Sequence, residues 1–370
     1  MIRKTDPEFI APYLRDASNY SEGMAEEVII PETSDELVDF LKNETRPVTV
    51  AGAGTGLTAS RIPSGGVIVS LERMNKISNL ADGTVQVGPA VTLKELQSFL
   101  SPTGWFYPPN PTETWASLGG NLATNASGSR SFKYGVTRDF VEEIELVLVD
   151  GRRTSLKRGL IISESLKLED GSQVTFPEIG YQSPECKNAA GYFVRPEMDW
   201  LDLFIGSDGT LGIFTKIILR LNPCPADFVS GILFFEKERS CWELILKIRS
   251  LEGAEISPCS LEYFDFRALE KLRAKYGTIP LGSRAALFFE QDVLDGSDSD
   301  RVLENWYEFL TLENINLDNS WFAQGPVDVQ KFHGFRHDIP LIINEENSLA
   351  GRVKLGTDMA VPDNYFMQMI

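Results

Sequence analysis

The sequence predicts an α+β protein of two domains, and three observations carry that expectation. Two glycine loops, AGAGTGLTAS at 51–60 and LGGNLATNASGSRSFKYG at 118–135, interrupt short β-branched runs. Two capping-box pairs, Thr33 with Glu36 and Thr92 with Glu95, open helices among those runs. After Pro223 and Pro225 the composition changes, and strand and helix patterns then alternate as far as residue 323. The boundary therefore falls between 222 and 223, giving domains 1–222 and 223–370.

Taken in order, residues 1–30 read as a polar lead-in ending in the strand Val28–Ile30. Thr33 caps a helix with Leu37, Phe40 and Leu41 on its apolar face, and Thr92 caps another with Leu93, Leu96, Phe99 and Leu100 turned inward. Strands are expected at Val48–Val50, Val67–Leu71 and Val85–Val87, and another, Ile144–Val149, follows the second glycine loop. Nearly every side chain of that loop is small or polar, so it is not expected to pack into a core. Its backbone amides suit close wrapping of a polar ligand. Asp208-Gly209 marks Gly206–Thr215 as a hairpin turn. In the second domain strands are expected at Phe228–Phe235, Ser260–Phe264, Arg284–Glu290 and Asn319–Ala323. Helices are expected at Ser240–Leu251, Arg267–Tyr276 and Ser297–Leu312, giving a sheet covered on one face.

The loop at 51–60 has a Rossmann look, and Glu72 lies at about the spacing of the ribose-binding acid. Space excludes that reading. Pro63 and Gly65-Gly66 follow at once and the next strand begins at Val67, so no helix of three turns fits. The arrangement is strand–loop–strand, a phosphate cradle made of backbone amides.

Composition narrows the partners. Acidic residues outnumber basic ones 53 to 35, a net charge of −18, which argues against nucleic acid and against broad electrostatic binding to anionic membranes. The four cysteines (186, 224, 241 and 259) contain no C-x-x-C pair, which fits a reducing compartment and excludes a cysteine zinc cluster. Met1–Tyr20 lacks the apolar run of a signal peptide, and no stretch is long and apolar enough to span a membrane. A cytoplasmic location follows, with peripheral membrane association left open. His333 and His337 are four apart, as on one face of a metal-binding helix, but no third ligand pattern accompanies them and Gly334 weakens the helix. No metal site is expected.

Five stretches taken together, AGAGTGL at 51–57, PNPTETWASLGGNLATNASGSRSFKYG at 109–135, KNAAGY at 187–192, GSDGTLGIFT at 206–215 and KLGTDMAVP at 354–362, carry a family resemblance. The chain resembles the FAD-linked oxidases with the vanillyl-alcohol oxidase (PCMH-type) FAD-binding fold. Within them it is most similar to the 2-hydroxy-acid branch of glycolate oxidase catalytic subunit, D-lactate dehydrogenase and D-2-hydroxyglutarate dehydrogenase. The resemblance implies a two-subdomain PCMH-type FAD-binding domain followed by a ferredoxin-like α+β cap. It places Ala53, Gly54, Thr55, Gly56 and Leu57 on the pyrophosphate, with Gly52 also at the cofactor. Pro111, Ser117, Leu118, Gly119, Gly120, Asn121, Asn125, Ser127, Gly128 and Gly135 line the rest of the cofactor, with Gly212 and Ile213 near it. For Asn188 and Tyr192 a packed loop and a cofactor contact stay equally open. The first loop has no histidine for a covalent link, so FAD is expected to be non-covalent.

The resemblance also implies that Arg336 and Lys354 hold the carboxylate of a small 2-hydroxy acid, which gives a hydride to the flavin. Electrons would pass on to oxygen, a quinone or a protein. The chain ends at Ile370, eight residues past Pro362, without the family's closing segment and its base histidine, so it reads as truncated relative to the family and its catalytic base is unassigned. A second reading is therefore kept, a catalytically incomplete FAD-binding subunit that needs a partner chain; a homodimer is also compatible. A sugar or lactone oxidase of the same fold is set aside, because those enzymes use different cap motifs.

Overall fold

The computed structural model describes residues 1–162, 165–251, 255–294, 298–323, 325–353, 356 and 358–370. They form two compact units. The first contains 1–127, 136–223 and 350–360, and the second contains 128–135, 224–349 and 361–370.

The first sheet of unit one has the order β1-β2-β4-β3. Strand β1 (Ile2–Lys4) runs antiparallel to β2 (Glu27–Ile30). Strands β2 and β3 (Val48–Ala51) both run parallel to β4 (Val67–Ser70). Both β2 and β4 are buried along their whole length, as β-branched strands covered on two faces should be. Helix α2 (Ser34–Leu41) packs Leu37, Phe40 and Leu41 against Ile29, Val67 and Val69, the face the sequence predicts. Its capping box is only half formed. Thr33 accepts from the Glu36 amide, but Glu36 turns its carboxylate to the Glu32 amide and to the terminal ammonium of Met1. The lead-in is also more ordered than its polarity suggests. It forms β1 and the short helix α1 (Pro7–Ile10), and Lys4 donates to the Tyr13 hydroxyl, which donates to Glu72, each at 2.8 Å.

The second sheet of this unit is antiparallel, in the order β5-β6-β12-β8-β9. Its strands are β5 (Ile77–Ala81), β6 (Thr84–Val87), β8 (Val141–Val147), β9 (Arg153–Lys157) and β12 (Ile213–Arg220). Strand β8 starts and ends earlier than expected because Leu148 already turns back, its amide donating to the Arg152 carbonyl. Helix α3 (Leu93–Leu100) has the full reciprocal box of Thr92 and Glu95. Leu93, Leu96 and Leu100 are buried, but Phe99, at the edge of the stripe, is 38% exposed. Two short pairs, β7 (Trp105–Phe106) with β13 (Asn222–Pro223) and β10 (Ser165–Lys167) with β11 (Gln173–Thr175), complete the unit's strands.

The second glycine loop departs most from expectation. Its first half is a helix, α4 (Leu118–Thr124), and Leu118 and Leu122 are fully buried, so the run does pack into a core. Two leucines four residues apart on one face are enough for a single helical turn to anchor. Gly206–Thr215 is not a hairpin either. It is a turn through positive φ at Asp208 and Gly209 that joins helix α6 (Trp200–Phe204) to β12.

Unit two is one antiparallel sheet in the order β15-β16-β14-β17. The strands are β14 (Asp227–Phe235), β15 (Ser260–Phe264), β16 (Ala285–Val293) and β17 (Trp321–Phe322). Helices cover both faces rather than one. On one side α7 (Glu238–Arg249) and α9 (Ser299–Leu312) pack Leu244 and Trp306 on Leu233, Leu287 and Phe289. On the other, α8 (Phe266–Leu272) and α10 (Pro326–Leu349) pack Leu269 and Phe335 on Phe234 and Phe288. Every residue of β16 is buried, and its unbroken AALFF run is the mark of a strand covered on both sides. The α10 cover was missed because the chain after residue 323 holds Gly334 and Pro340, which read as helix breakers; the helix continues through both. The single turns α5 (Ser131–Tyr134) and α11 (Phe366–Met369) also belong to this unit. Among the described residues no helix is long and apolar enough to cross a membrane.

The two caps differ in a measurable way. Thr92→Ala should cost about 1 kcal/mol in urea unfolding, and Thr33→Ala clearly less, because only the Thr92 box is reciprocal.

Candidate functional site

A cavity of about 1170 Å³ lies in unit one, larger than the usual range of roughly 300–1,000 Å³ for small-molecule sites and suited to a dinucleotide-sized ligand. It is built where the two glycine loops meet. A Cβ on Gly52 would stand 2.8 Å from the Ser117 Oγ, and that Oγ accepts from the Ala53 and Gly120 amides. Gly119 is pressed onto Pro89, where its amide donates to the Pro89 carbonyl at 2.8 Å and an added Cβ would clash. Gly54 needs its φ of +78° and lies under the Arg61 guanidinium. Gly56 is different, with nothing within 4 Å of an added Cβ.

This packing leaves the loop's donors free. Among the described residues, the amides of Gly54, Thr55, Gly56 and Leu57 donate to no group of the chain, and all four residues line the cavity. Successive unpaired amides in a glycine turn form an anion-binding nest. A pyrophosphate fits that donor set.

Sequence reasoning missed Arg61. It lines the cavity and donates to the carbonyls of Gly52 and Pro12, each at 2.9 Å, with no carboxylate in ion-pair range among the described residues. Burial lowers its pKa and Asp16 opposes that, but a guanidinium stays charged in either case. Its signal in the sequence was a cation within the glycine loop's own return, RIP after AGAGTGLTAS. Glu8, Asp16, Glu72, Glu95, Glu113, Asp208 and Asp358 also line the cavity, as does Lys4, whose ammonium donates to the Tyr13 hydroxyl, so Arg61, Lys4 and the free amides are what a phosphate would meet favourably.

Of the cofactor residues expected from the sequence, 52–57, Pro111, Ser117, Gly119, Gly120, Asn121, Gly212 and Ile213 line this cavity. Three others of unit one do not. Leu118 is fully buried. Asn125 holds φ +50° at the end of α4, its Oδ1 accepting from the Arg138 amide. Ser127 Oγ accepts from the Thr137 amide and donates to the Asn125 carbonyl. These side chains shape the loop rather than face the cavity. Gly128 and Gly135, both with positive φ, bound the segment that belongs to unit two. Asn188 lines a separate cavity of about 20 Å³, and Tyr192 is bonded to the Thr210 hydroxyl at 2.8 Å.

Unit two holds a polar cluster beside α10. Arg336 is mostly buried and its Nε donates to Glu262 Oε2, while its Nη1 lies 3.1 Å from His337 Nε2. It is thus neither a bare cation nor a surface ion pair; its Nη2 has no partner among the described residues. Lys354 lies outside the described residues. His333 Nε2 lies 2.7 Å from Glu290 Oε2, so the two histidines go to different partners and do not converge. Burial would raise the Glu290 carboxyl, but the His333 hydrogen bond and the Arg130 charge hold it down, at about 2. Burial, then Arg336 and His333, lower His337 to about 4.

Residues 25–157, from just before β2 to the end of β9, match the family model described as FAD binding domain. Among curated proteins the chain is 35% identical over 246 residues to a D-lactate dehydrogenase of Anaerostipes hadrus, covering 65% of this chain and 45% of that protein. It is 32% identical over 289 residues to glycolate oxidase subunit GlcD of Bacillus subtilis (strain 168), covering 76% and 54%. The chain spans about half the length of the curated relatives it matches. A solved alkyldihydroxyacetonephosphate synthase superposes with a TM-score of 0.64 at 16% identity, over 91% of this chain and 61% of that one, which shows a shared fold. The chain thus contains an FAD-binding domain at residues 25–157, its cofactor is FAD, and over most of its length it is similar to D-lactate dehydrogenases and glycolate oxidase subunit GlcD.

Two expectations follow. Gly56→Ala adds a methyl to ligand space and to nothing else, so FAD affinity should fall about tenfold or more. Its free energy of urea unfolding should stay within about 0.5 kcal/mol of wild type. The second concerns pH. Glu290 is depressed from 4.5 to about 2, so its stabilisation is complete above about pH 4.5 and is lost as pH falls toward 2. Glu290→Gln should therefore be less stable at pH 7 and show a flatter loss between pH 5 and 2 in thermal melts.

Proposed function

We propose that this chain is an FAD-dependent oxidoreductase that oxidises a small 2-hydroxy acid. The observation that carries the reading is the set of unpaired amides at 54–57 on a cavity of dinucleotide size. In this reading those amides and Arg61 hold the pyrophosphate, and the surface around Gly119–Asn121, Gly212 and Ile213 holds the rest of the cofactor. In this reading FAD is held without a covalent link; among the described residues the lining holds neither histidine nor cysteine. The bound flavin supplies a hydride acceptor at N5.

The chain's own contribution is to hold the acid. The unpartnered Nη2 edge of Arg336 is free to donate to a carboxylate while Glu262 fixes the other edge of the fork, and Lys354 is the second cation. The β14–α7–β15–α8–β16–α9–β17 series, a β-α-β-β-α-β order with α8 added, supports reading unit two as a ferredoxin-like substrate cap. Relatives named for D-lactate and glycolate support a small hydroxy acid, and electrons leave to oxygen, a quinone or a protein. The Arg336–Glu262 pair also favours a second reading, an FAD-binding subunit without turnover of its own, because it leaves Arg336 partly neutralised.

Anaerobic addition of D-lactate, glycolate or D-2-hydroxyglutarate should bleach the flavin band with at least one acid. Arg336→Ala should lower that bleaching rate by about 100-fold or more while FAD stays bound. A wild-type band that none of the three bleaches would favour the second reading.

A further inference from the structure

Three of the acidic residues that line the unit-one cavity serve the chain close by. Asp16 Oδ1 accepts from the Ser18 amide and hydroxyl, Glu113 Oε1 from the Trp115 amide, and Glu95 Oε2 from the Thr92 amide and hydroxyl. Such bonds shape a turn or a cap. Glu72 is different. Its Oε2 accepts from the Tyr13 hydroxyl at 2.8 Å, 59 residues away in sequence, and from the Ser70 hydroxyl at 3.0 Å. Tyr13 packs on the buried cluster of Ile10, Val28, Ile30, Ala51 and Ile68, and Ser70 is the last residue of β4 and 3% exposed. Both donors are thus fixed by the fold. Lys4 sets the direction of the first. An ammonium only donates, so its proton goes to the Tyr13 oxygen at 2.8 Å and the phenol's own hydrogen points to Glu72.

Both bonds fall on Oε2, and Oε1 has no partner among the described residues. Holding an exposed glutamate in one geometry costs side-chain entropy. The result is a fixed acceptor on the cavity wall. Register sets its place. Ala51 of β3 pairs with Ser70 of β4 in parallel, so Gly54 and Glu72 leave the same edge of the sheet just beyond that pair, on strands about 4.8 Å apart. The helix of a Rossmann unit is missing here, but the parallel pair that puts an acid beside a glycine loop is present. A carboxylate repels a phosphate and accepts from hydroxyls. In FAD the groups that adjoin the pyrophosphate are the adenosine ribose on one side and the ribityl chain on the other, and each carries vicinal hydroxyls.

We propose that Glu72 is a cofactor ligand, accepting through Oε1 from vicinal hydroxyls that adjoin the pyrophosphate, and that Tyr13 and Lys4 are the positioning residues that hold it. The proposal rests on the reading that this cavity holds FAD. It gives the lead-in a part in the site, since Lys4 and Tyr13 both precede the matched domain at 25–157. It also divides the labour of the wall: the amides of 54–57 and Arg61 meet the phosphates, and Glu72 meets a sugar.

The test titrates the flavin-stripped 370-residue chain with FAD, FMN and ADP at one ionic strength, by flavin fluorescence for the first two and by calorimetry for ADP. Glu72→Ala should weaken FAD about tenfold or more, although it removes a negative charge from an anion site. Its unfolding in urea without ligand should match wild type, because the side chain is exposed. Tyr13→Phe should weaken FAD about threefold or more on its own and have no effect in the Glu72→Ala background. In Glu72→Ala, a loss for ADP with FMN unchanged assigns the ribose, a loss for FMN with ADP unchanged assigns the ribityl chain, and either supports the proposal. Equal effects on ADP and FMN overturn it, because phosphate is what those two share. FAD bound to Glu72→Ala as tightly as to wild type, or more tightly, also overturns it, since a carboxylate that only crowds the phosphates gives that result. A Tyr13→Phe loss that persists without Glu72 overturns the positioning role. A wild type that binds none of the three overturns the reading of the cavity itself.

Discussion

The close approach of Gly52 to Ser117 is the constraint on which the first unit depends. A side chain on Gly52 would meet the Ser117 hydroxyl at 2.8 Å, and that hydroxyl accepts from amides on both loops. The contact sets where each loop may go. The first loop must return from β3 to β4, two parallel strands, without a helix between them. Parallel neighbours are usually joined through a helix that takes up the loop's amides. Here no helix does so, and the amides of 54–57 stay unpaired beside the cavity. Residues 54–57 are half-buried or exposed, so their amides stay open to an anion that the fold itself does not supply.

The second unit stores polar energy differently. Its sheet carries apolar residues on both faces until the far end of β16, where Glu290 and Asp292 enter the interior. Segment 128–135 answers them: Arg130 meets Glu290, and Lys133 and Tyr134 meet Asp292 at 2.6 and 3.0 Å. The tail of the second glycine loop is thus a cationic insert of this unit. Removing either partner would leave a buried charge uncompensated, typically a loss of about 3–5 kcal/mol. A cluster of this kind is weak as a source of net stability and better understood as a way to fix side chains, His333 on Glu290 among them.

Much of this was legible in the sequence, and the failures have physical causes. The strand–loop–strand form of 48–70 followed from space alone, and the α2 face and the α3 box followed from spacing. The strand at 228–235 and that at 260–264 were found because their apolar runs are bounded by turn residues, although β16 runs on to Val293 through polar residues that the structure buries. Composition misled at 118–124, where two leucines outweigh the small residues around them. Asn125 and Ser127 have the chemistry of ligand contacts, but they cap a helix and brace a turn, uses that spacing does not separate from binding. Arg61 escaped notice because its role depends on a fold-back that brings it over Gly54. The partners of Arg336 and His333 lie 74 and 43 residues away in sequence, beyond any local pattern.

The central claim is that the backbone of 54–57, with Arg61, binds the pyrophosphate of FAD. Its most direct test is to titrate flavin-stripped protein with FAD and with riboflavin, which shares the ring but has no phosphate, and to follow the quenching of flavin fluorescence. The account predicts FAD bound at least about 100-fold more tightly, a difference of about 2.7 kcal/mol, with a preference that shrinks in Arg61→Met. Equal affinity for the two flavins, or no binding of either, would contradict it.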